Sequence, residues 1–318
     1  MIGLARARLA AAIFNDTSGH RHHGCELVMR QLRSALKDQA IDCVWTEPRG
    51  EYTLDEAEHA LRSMAPNVIV VNGEGTIHHT ADRPRPRYLC TIGNFARKLG
   101  IPSVLLNATL QGIDAAALEE LKAFDAIYVR ETASRDGLRQ SGINALVVPD
   151  LVFSYSYKGT ERRSGVLGID SVRPEISAAI EAHCNDMHWS YRRIKATKFG
   201  AGVVETIDEF CDTLSSTSLV ITGRFHAVAL CILTGTPFVA VESNTHKISA
   251  VLRDVFGNED RLMAPGAIST VRDEDFMPWT TMELRSIAAF LAGARTGADR
   301  MIEETERLAR RDRLPIRG

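Results

Sequence analysis

In the run Ile221-Thr222-Gly223-Arg224-Phe225-His226-Ala227 an apolar strand pattern stops at a glycine, and an arginine and a histidine follow two apart before a helical period begins. Arginine offers phosphate or carboxylate a planar fork of donors, and histidine titrates near neutral pH, so one can grip an anion while the other moves a proton. Read as an extended segment, the spacing puts Arg224 and His226 on one side and a buried Phe225 on the other, with the helix start at Ala227 adding its positive end. One strand later Glu242, Ser243, Asn244, Thr245, His246 and Lys247 bring a carboxylate and a cation to the same edge. Gly223, Arg224, Ala227, Glu242 and Lys247 are therefore the candidate anion-binding set and His226 the candidate acid, while Lys247 also suits a snorkelling surface position.

Two polar loops in the first half carry the complementary groups. Asn15-Asp16-Thr17-Ser18-Gly19-His20-Arg21-His22-His23-Gly24-Cys25 leads from a strand into a helix, where free backbone N–H groups suit an anion and the histidines add donors; a capped turn with solvated histidines is the competing reading. Asn72-Gly73-Glu74-Gly75 follows a very apolar strand; glycines let a ligand approach the backbone or simply make the turn, and the carboxylate between them is a candidate base. Asn15, His20, His22, His23 and Asn72 are candidate acceptor contacts, with Glu74 and Asp16 as candidate bases. Arg130 and Glu131 are expected to pair and hold loops together, and Asp150 closes a strand end. His20, His22, His23 and Cys25 fit no paired-ligand spacing, so no metal site is expected.

The elements that must position these groups alternate between short β-rich runs and helical periods, the pattern of parallel sheets covered by helices. Strands are expected at 9–14, 41–46, 67–72, 102–107, 126–130 and 145–148, with helices at 26–36, 54–64, 88–99, 115–124 and 134–140 between them. A polar stretch at 154–164 marks a boundary, after which strands at 165–169, 218–222 and 238–241 alternate with helices at 174–184, from 227 and at 247–256. A long helix at 280–311 follows, with a heavily charged end. The expected domains are 1–155, 156–280 and a helical tail, 281–318. In an open α/β sheet, ligands collect outside the carboxyl ends of the strands, which is where the loops above lie.

Composition narrows the partners. The 38 Lys and Arg against 40 Asp and Glu leave no net basic charge to attract nucleic acid. Six cysteines without a C-x-x-C pair suit reduced thiols in a cytoplasm. The apolar opening 1–14 is interrupted by Arg6 and Arg8, which leaves it too short for a secretion signal or a membrane span.

On Val129-Arg130-Glu131-x-x-Ser134, Val148-Pro149-Asp150 and Ile221-Thr222-Gly223-Arg224-Phe225-His226-Ala227, with Gly235-x-Pro237 and Lys247 behind them, the chain resembles the polysaccharide pyruvyl transferase family. The resemblance implies two Rossmann-like domains facing a cleft, as in GT-B glycosyltransferases, the first on the acceptor side and the second on the donor side. It also implies transfer of a pyruvyl group from phosphoenolpyruvate, a co-substrate, to sugar hydroxyls as a ketal, with no further cofactor or metal. The acceptor implied is a sugar or lipid-linked oligosaccharide of cell-surface polysaccharide synthesis, with peripheral attachment at the inner face of the membrane; the basic end from Arg307 to Arg317, which also holds Asp312, is its electrostatic candidate or a solvated tail. Family members commonly carry a Gly-Asn-x-Gly-Asp type first loop and a glycine run after the third strand. Here those places hold His22-His23-Gly24-Cys25 and Gly73-Glu74-Gly75. That departure keeps open a GT-B-like glycosyltransferase using a UDP- or CMP-sugar, in which Arg224 and Lys247 bind the phosphates. A non-catalytic sugar-binding subunit is the third class.

Overall fold

The computed structural model describes residues 8–48, 53–159, 162–196, 204–272 and 278–311; the first seven residues and the basic end from Asp312 lie outside them. The expected α/β alternation is present as two parallel sheets. Strands β1 (Leu9–Asp16), β2 (Ile41–Pro48), β3 (Val68–Glu74), β4 (Ser103–Ala108), β5 (Ala126–Val129) and β6 (Leu146–Val147) form the first, in the order β2-β1-β3-β4-β5-β6. Strands β7 (Ser164–Ser171), β8 (Ser190–Arg192), β9 (Thr217–Gly223), β10 (Phe238–Val241) and β11 (Leu262–Met263) form the second, in the order β11-β10-β9-β7-β8. By internal contacts the chain divides into two units. Unit 1 holds the residues up to Gly19, Met29–Asp150 and those from Thr296; unit 2 holds His20–Val28 and Leu151–Arg295. Helices α1 (His23–Asp38) and α10 (Thr281–Ala309) each supply residues to both. Between them in chain order come α2 (Leu54–Met64), α3 (Pro84–Lys98), α4 (Ala115–Leu121), α5 (Thr132–Gln140), α6 (Pro174–Asp186), α7 (Ile207–Ser215), α8 (Phe225–Thr234) and α9 (Lys247–Phe256).

Burial explains the strand sequences. All seven residues of β3 and all six of β4 are buried, as continuous apolar runs demand of interior strands, whereas the edge strand β2 is largely half-buried. The unit 1 core packs Phe14 of β1 edge-on against Trp45 and Phe95, with Leu61 of α2 and Leu105 of β4 in the same cluster. In unit 2, Ile180 of α6 packs with Leu219 and Ile221 of β9 and Val241 of β10. Every residue of α8 is buried, in keeping with a helix that is apolar on all sides.

Both sheets reverse direction once. From β1 the chain adds β2 on one side and β3 on the other; from β7 it adds β8 on one side and β9 on the other. These reversals leave crevices outside the carboxyl ends of β1 and β3, and of β7 and β9, the places where open α/β sheets bind ligands.

Candidate active site

At the β1/β3 reversal of unit 1 the polar residues face one another across neighbouring strand ends. Thr17 donates its hydroxyl to Glu74 Oε1 in a short hydrogen bond, and Asn72 Nδ2 reaches the same oxygen at 3.0 Å. Asn15 Nδ2 donates to the Asn72 carbonyl at 2.6 Å, and Arg85, ion-paired to Glu47 at 2.8 Å, reaches Asn15 Oδ1 at 3.4 Å. Glu74 is only 4% exposed and sits at φ 40°, in the left-handed region that a long side chain adopts only under strain. Asn15 and Asn107, at the ends of β1 and β4, share that conformation at φ 61° and 58°, which asparagine tolerates more easily. Asn72 is fully buried and its Oδ1 has no hydrogen-bond partner among the described residues.

The other unit 1 candidates are committed to structure. Asp16 accepts from the Ser18 backbone N–H at 3.0 Å and its hydroxyl at 2.7 Å through one oxygen and pairs with Arg33 through the other. Gly73 is needed because a Cβ there would lie 2.5 Å from that of Ala108, so its close approach is to β4. Arg130 reaches Asp150 at 2.7 Å and Glu131 only at 3.7 Å, so the pair that ties the loops together is Arg130–Asp150.

At the β7/β9 reversal of unit 2 an arginine meets an aspartate. Arg224 Nη2 meets Asp170 Oδ2 at 2.5 Å, and the other Asp170 oxygen accepts from the Ile194 backbone at 3.0 Å. This fixes the guanidinium at the end of β9, where its buried Nε has no partner among the described residues. Gly223 keeps β9 against β7, since a Cβ would fall 2.4 Å from Ser171 Oγ. The segment after Gly223 is not extended as expected. Because the apolar run of α8 already begins at Phe225, that residue enters the helix, Arg224 becomes its N-cap without a side-chain cap, and His226 stands in the first turn. Both Phe225 and His226 are buried.

The neighbouring helix differs. Glu242 accepts from the Ser243, Ile248 and Ser249 backbone N–H groups at 2.9, 3.3 and 3.1 Å, so this carboxylate already occupies the start of α9. Lys247 is buried and donates to Asn244 Oδ1 at 2.7 Å.

Of the first-loop histidines, His20 is exposed, whereas His22 and His23 lie in unit 2 with His226. His23 Nε2 meets Glu205 at 2.9 Å and its ring stacks on Phe210; burial lowers its pKa, opposed by the Glu205 hydrogen bond. The His22 ring stands edge-on to His226 with centroids 5.3 Å apart, and burial first, then His226 and Arg224, hold its pKa well below 6.5. The imidazole of His226 fills the space over Gly24, where a Cβ would lie 2.2 Å from its Cγ. Asp170 was missed by sequence reasoning, although its place immediately after an expected strand marks it by the same strand-end rule as the others.

A model of the family described as Polysaccharide pyruvyl transferase matches residues 22–245, which span the unit 2 strand edge from His22 to Thr245. The chain belongs to the polysaccharide pyruvyl transferase family. No curated protein sequence matches it. Among solved structures it is similar to a Listeria monocytogenes protein assigned as a UDP-N-acetylglucosamine 2-epimerase, at TM-score 0.59 and 11% identity over 96% of this chain and 98% of that one. The S. aureus MnaA–UDP structure gives TM-score 0.58 and 13% identity over 93% and 95%. The UDP-GlcNAc 2-epimerase of Methanocaldococcus jannaschii with UDP-GlcNAc and UDP gives 0.57 and 12% over 93% and 99%. Similarity at this level shows the shared GT-B-like α/β fold. Family membership makes this pyruvyl transferase-like chain a transferase with a sugar acceptor, and among its described residues no helix is long and apolar enough to cross a membrane.

Proposed function

We propose that this family member transfers the pyruvyl group of phosphoenolpyruvate to two hydroxyls of a sugar in cell-surface polysaccharide synthesis. The observation that carries the proposal is the guanidinium of Arg224, anchored by Asp170 at one nitrogen, with a buried donor at Nε that has no partner among the described residues and the start of α8 beside it. An orphaned buried donor costs about 1–3 kcal/mol, which an anion accepting from it recovers. Arg224 holds the donor anion. His226 protonates the methylene carbon of the enol, leaving an oxocarbenium-like centre at the carbon bearing carboxylate and phosphate. A sugar hydroxyl forms a C–O bond there as its proton passes to a base, for which Glu74 is the unit 1 candidate; Asp16 is set aside because both its oxygens are engaged. The phosphate C–O bond then breaks, the second hydroxyl takes its place and its proton restores His226, and one ketal and one phosphate result. Asn72 Oδ1 and Glu74 accept from acceptor hydroxyls.

The competing donor is a nucleotide-activated sugar. Incubation with phosphoenolpyruvate and a panel of sugar and lipid-linked oligosaccharide acceptors, following phosphate release, tests the proposal against parallel reactions with UDP- and CMP-sugars. Phosphate release that requires an acceptor is expected. Nucleotide release with no reaction of phosphoenolpyruvate would overturn it.

A further inference from the structure

Unit 2 brings together three soft ligand atoms that local spacing in the sequence does not reveal. His22, Cys25 and His226 each place one such atom within 4.8 Å of the other two. His22 immediately precedes α1 and Cys25 lies in its first turn, and the Cys25 backbone N–H lies 3.3 Å from His22 Nδ1. His226 arrives from α8 through the gap that Gly24 leaves by lacking a Cβ. The neighbours His20 and His23 stay outside the group, one exposed and the other committed to Glu205.

We propose that His22, Cys25 and His226 bind Zn2+ or a divalent ion of similar softness. Two imidazole nitrogens and one thiolate, without a carboxylate, form the donor set such an ion prefers over Mg2+ or Ca2+. Tetrahedral bonds of about 2.0–2.3 Å set ligand edges of roughly 3.4–3.7 Å, so side-chain rotations of about 1 Å close the group around the ion. Ligation through His22 Nδ1 exchanges the long contact from the Cys25 backbone, and the Cys25 thiol proton leaves to solvent as the Zn–S bond forms. Half-buried His22 and Cys25 leave a path for the ion and a fourth position for water. Occupation takes the His226 lone pair and ends its proton transfer, a consequence that rests on the role given to His226 above. The site is thus an inhibitory one.

The metal-stripped full chain is titrated with Co2+ and then Zn2+. One equivalent of Co2+ is expected, with a thiolate-to-cobalt charge-transfer band that Zn2+ abolishes. Cys25→Ser removes the band, weakens Zn2+ binding by at least about 10-fold and keeps basal turnover while losing inhibition. Cys43→Ser, which alters the other half-buried thiol, keeps the band. No band in the wild type, or a band that survives Cys25→Ser, overturns the site. Stoichiometric binding that leaves turnover unchanged upholds the site and contradicts the acid role of His226 instead.

Discussion

Among the described residues, the first sheet's edge holds a buried oxygen without a partner, Asn72 Oδ1, beside the Glu74 carboxylate, and a buried nitrogen, Arg85 Nε, on the arginine that reaches Asn15; the second sheet's edge holds the nitrogen Arg224 Nε, near His226. The same topological reversal carries an open acceptor at Asn72 and the Glu74 carboxylate in one unit, and an open donor at Arg224 in the other. Acceptors suit sugar hydroxyls, which have protons to give, and donors suit a phosphate or carboxylate, which has none. Backbone follows the same division. The acceptor edge stores strain at Glu74, while the donor edge places its histidine in the first turn of a helix whose N-cap supplies no side-chain oxygen.

The largest break in this contrast is expected from His226→Ala, which removes the proposed acid from the donor edge. Turnover with phosphoenolpyruvate should fall by about 10²–10⁴-fold with an unchanged circular-dichroism spectrum. Glu74→Gln keeps size and loses charge at the acceptor edge; a fall of about 10²-fold in kcat is expected with the KM for phosphoenolpyruvate unchanged, and a change confined to that KM would place Glu74 on the donor instead. Gly24→Ala drives a methyl group into the His226 ring, so turnover should drop about 10²-fold beside a stability loss of about 1–3 kcal/mol.

The smallest effect is on stability against pH. Burial holds His22 and His23 below 6.5 in the folded chain, so on acidification the unfolded chain takes up their protons first. Their contribution is intact above 6.5 and is lost as the pH falls below it. A lowering of Tm by about 2–4 °C between pH 7.5 and 5.5 is expected, smaller in His22→Asn; an unchanged difference in that variant would remove His22 from the cause.

The elements of both sheets were largely legible because interior parallel strands must be continuously apolar and the helices between them must be amphipathic. The expected strand 238–241 and helices 54–64 and 247–256 coincide with β10, α2 and α9. Three elements escaped: strand β8, the two-residue edge strand β11 and helix α7. Strand β8, Ser-Tyr-Arg, is a short polar edge without apolar period. Helix α7 was announced only by its Thr206–Glu209 capping box, a pattern that marks its start. The strand-end positions of Arg224 and Glu74, the proposed donor-binding and base residues, were legible because each follows a recognisable apolar run. The site was not legible where partners come from distant segments: Asp170 and Arg224 are 54 residues apart, and the grouping of His22 with His226 depends on which unit the start of α1 joins. Glu242 shows the converse, since a carboxylate beside a cation in sequence became a helix cap in the fold.

Calorimetric titration of phosphoenolpyruvate into the wild type, Arg224→Ala and Glu74→Gln tests the division between the two edges most directly. The donor assignment predicts binding to the wild type and Glu74→Gln with similar affinity, and a loss of roughly 10–100-fold in Arg224→Ala. Equal binding in wild type and Arg224→Ala, or a loss confined to Glu74→Gln, would contradict it.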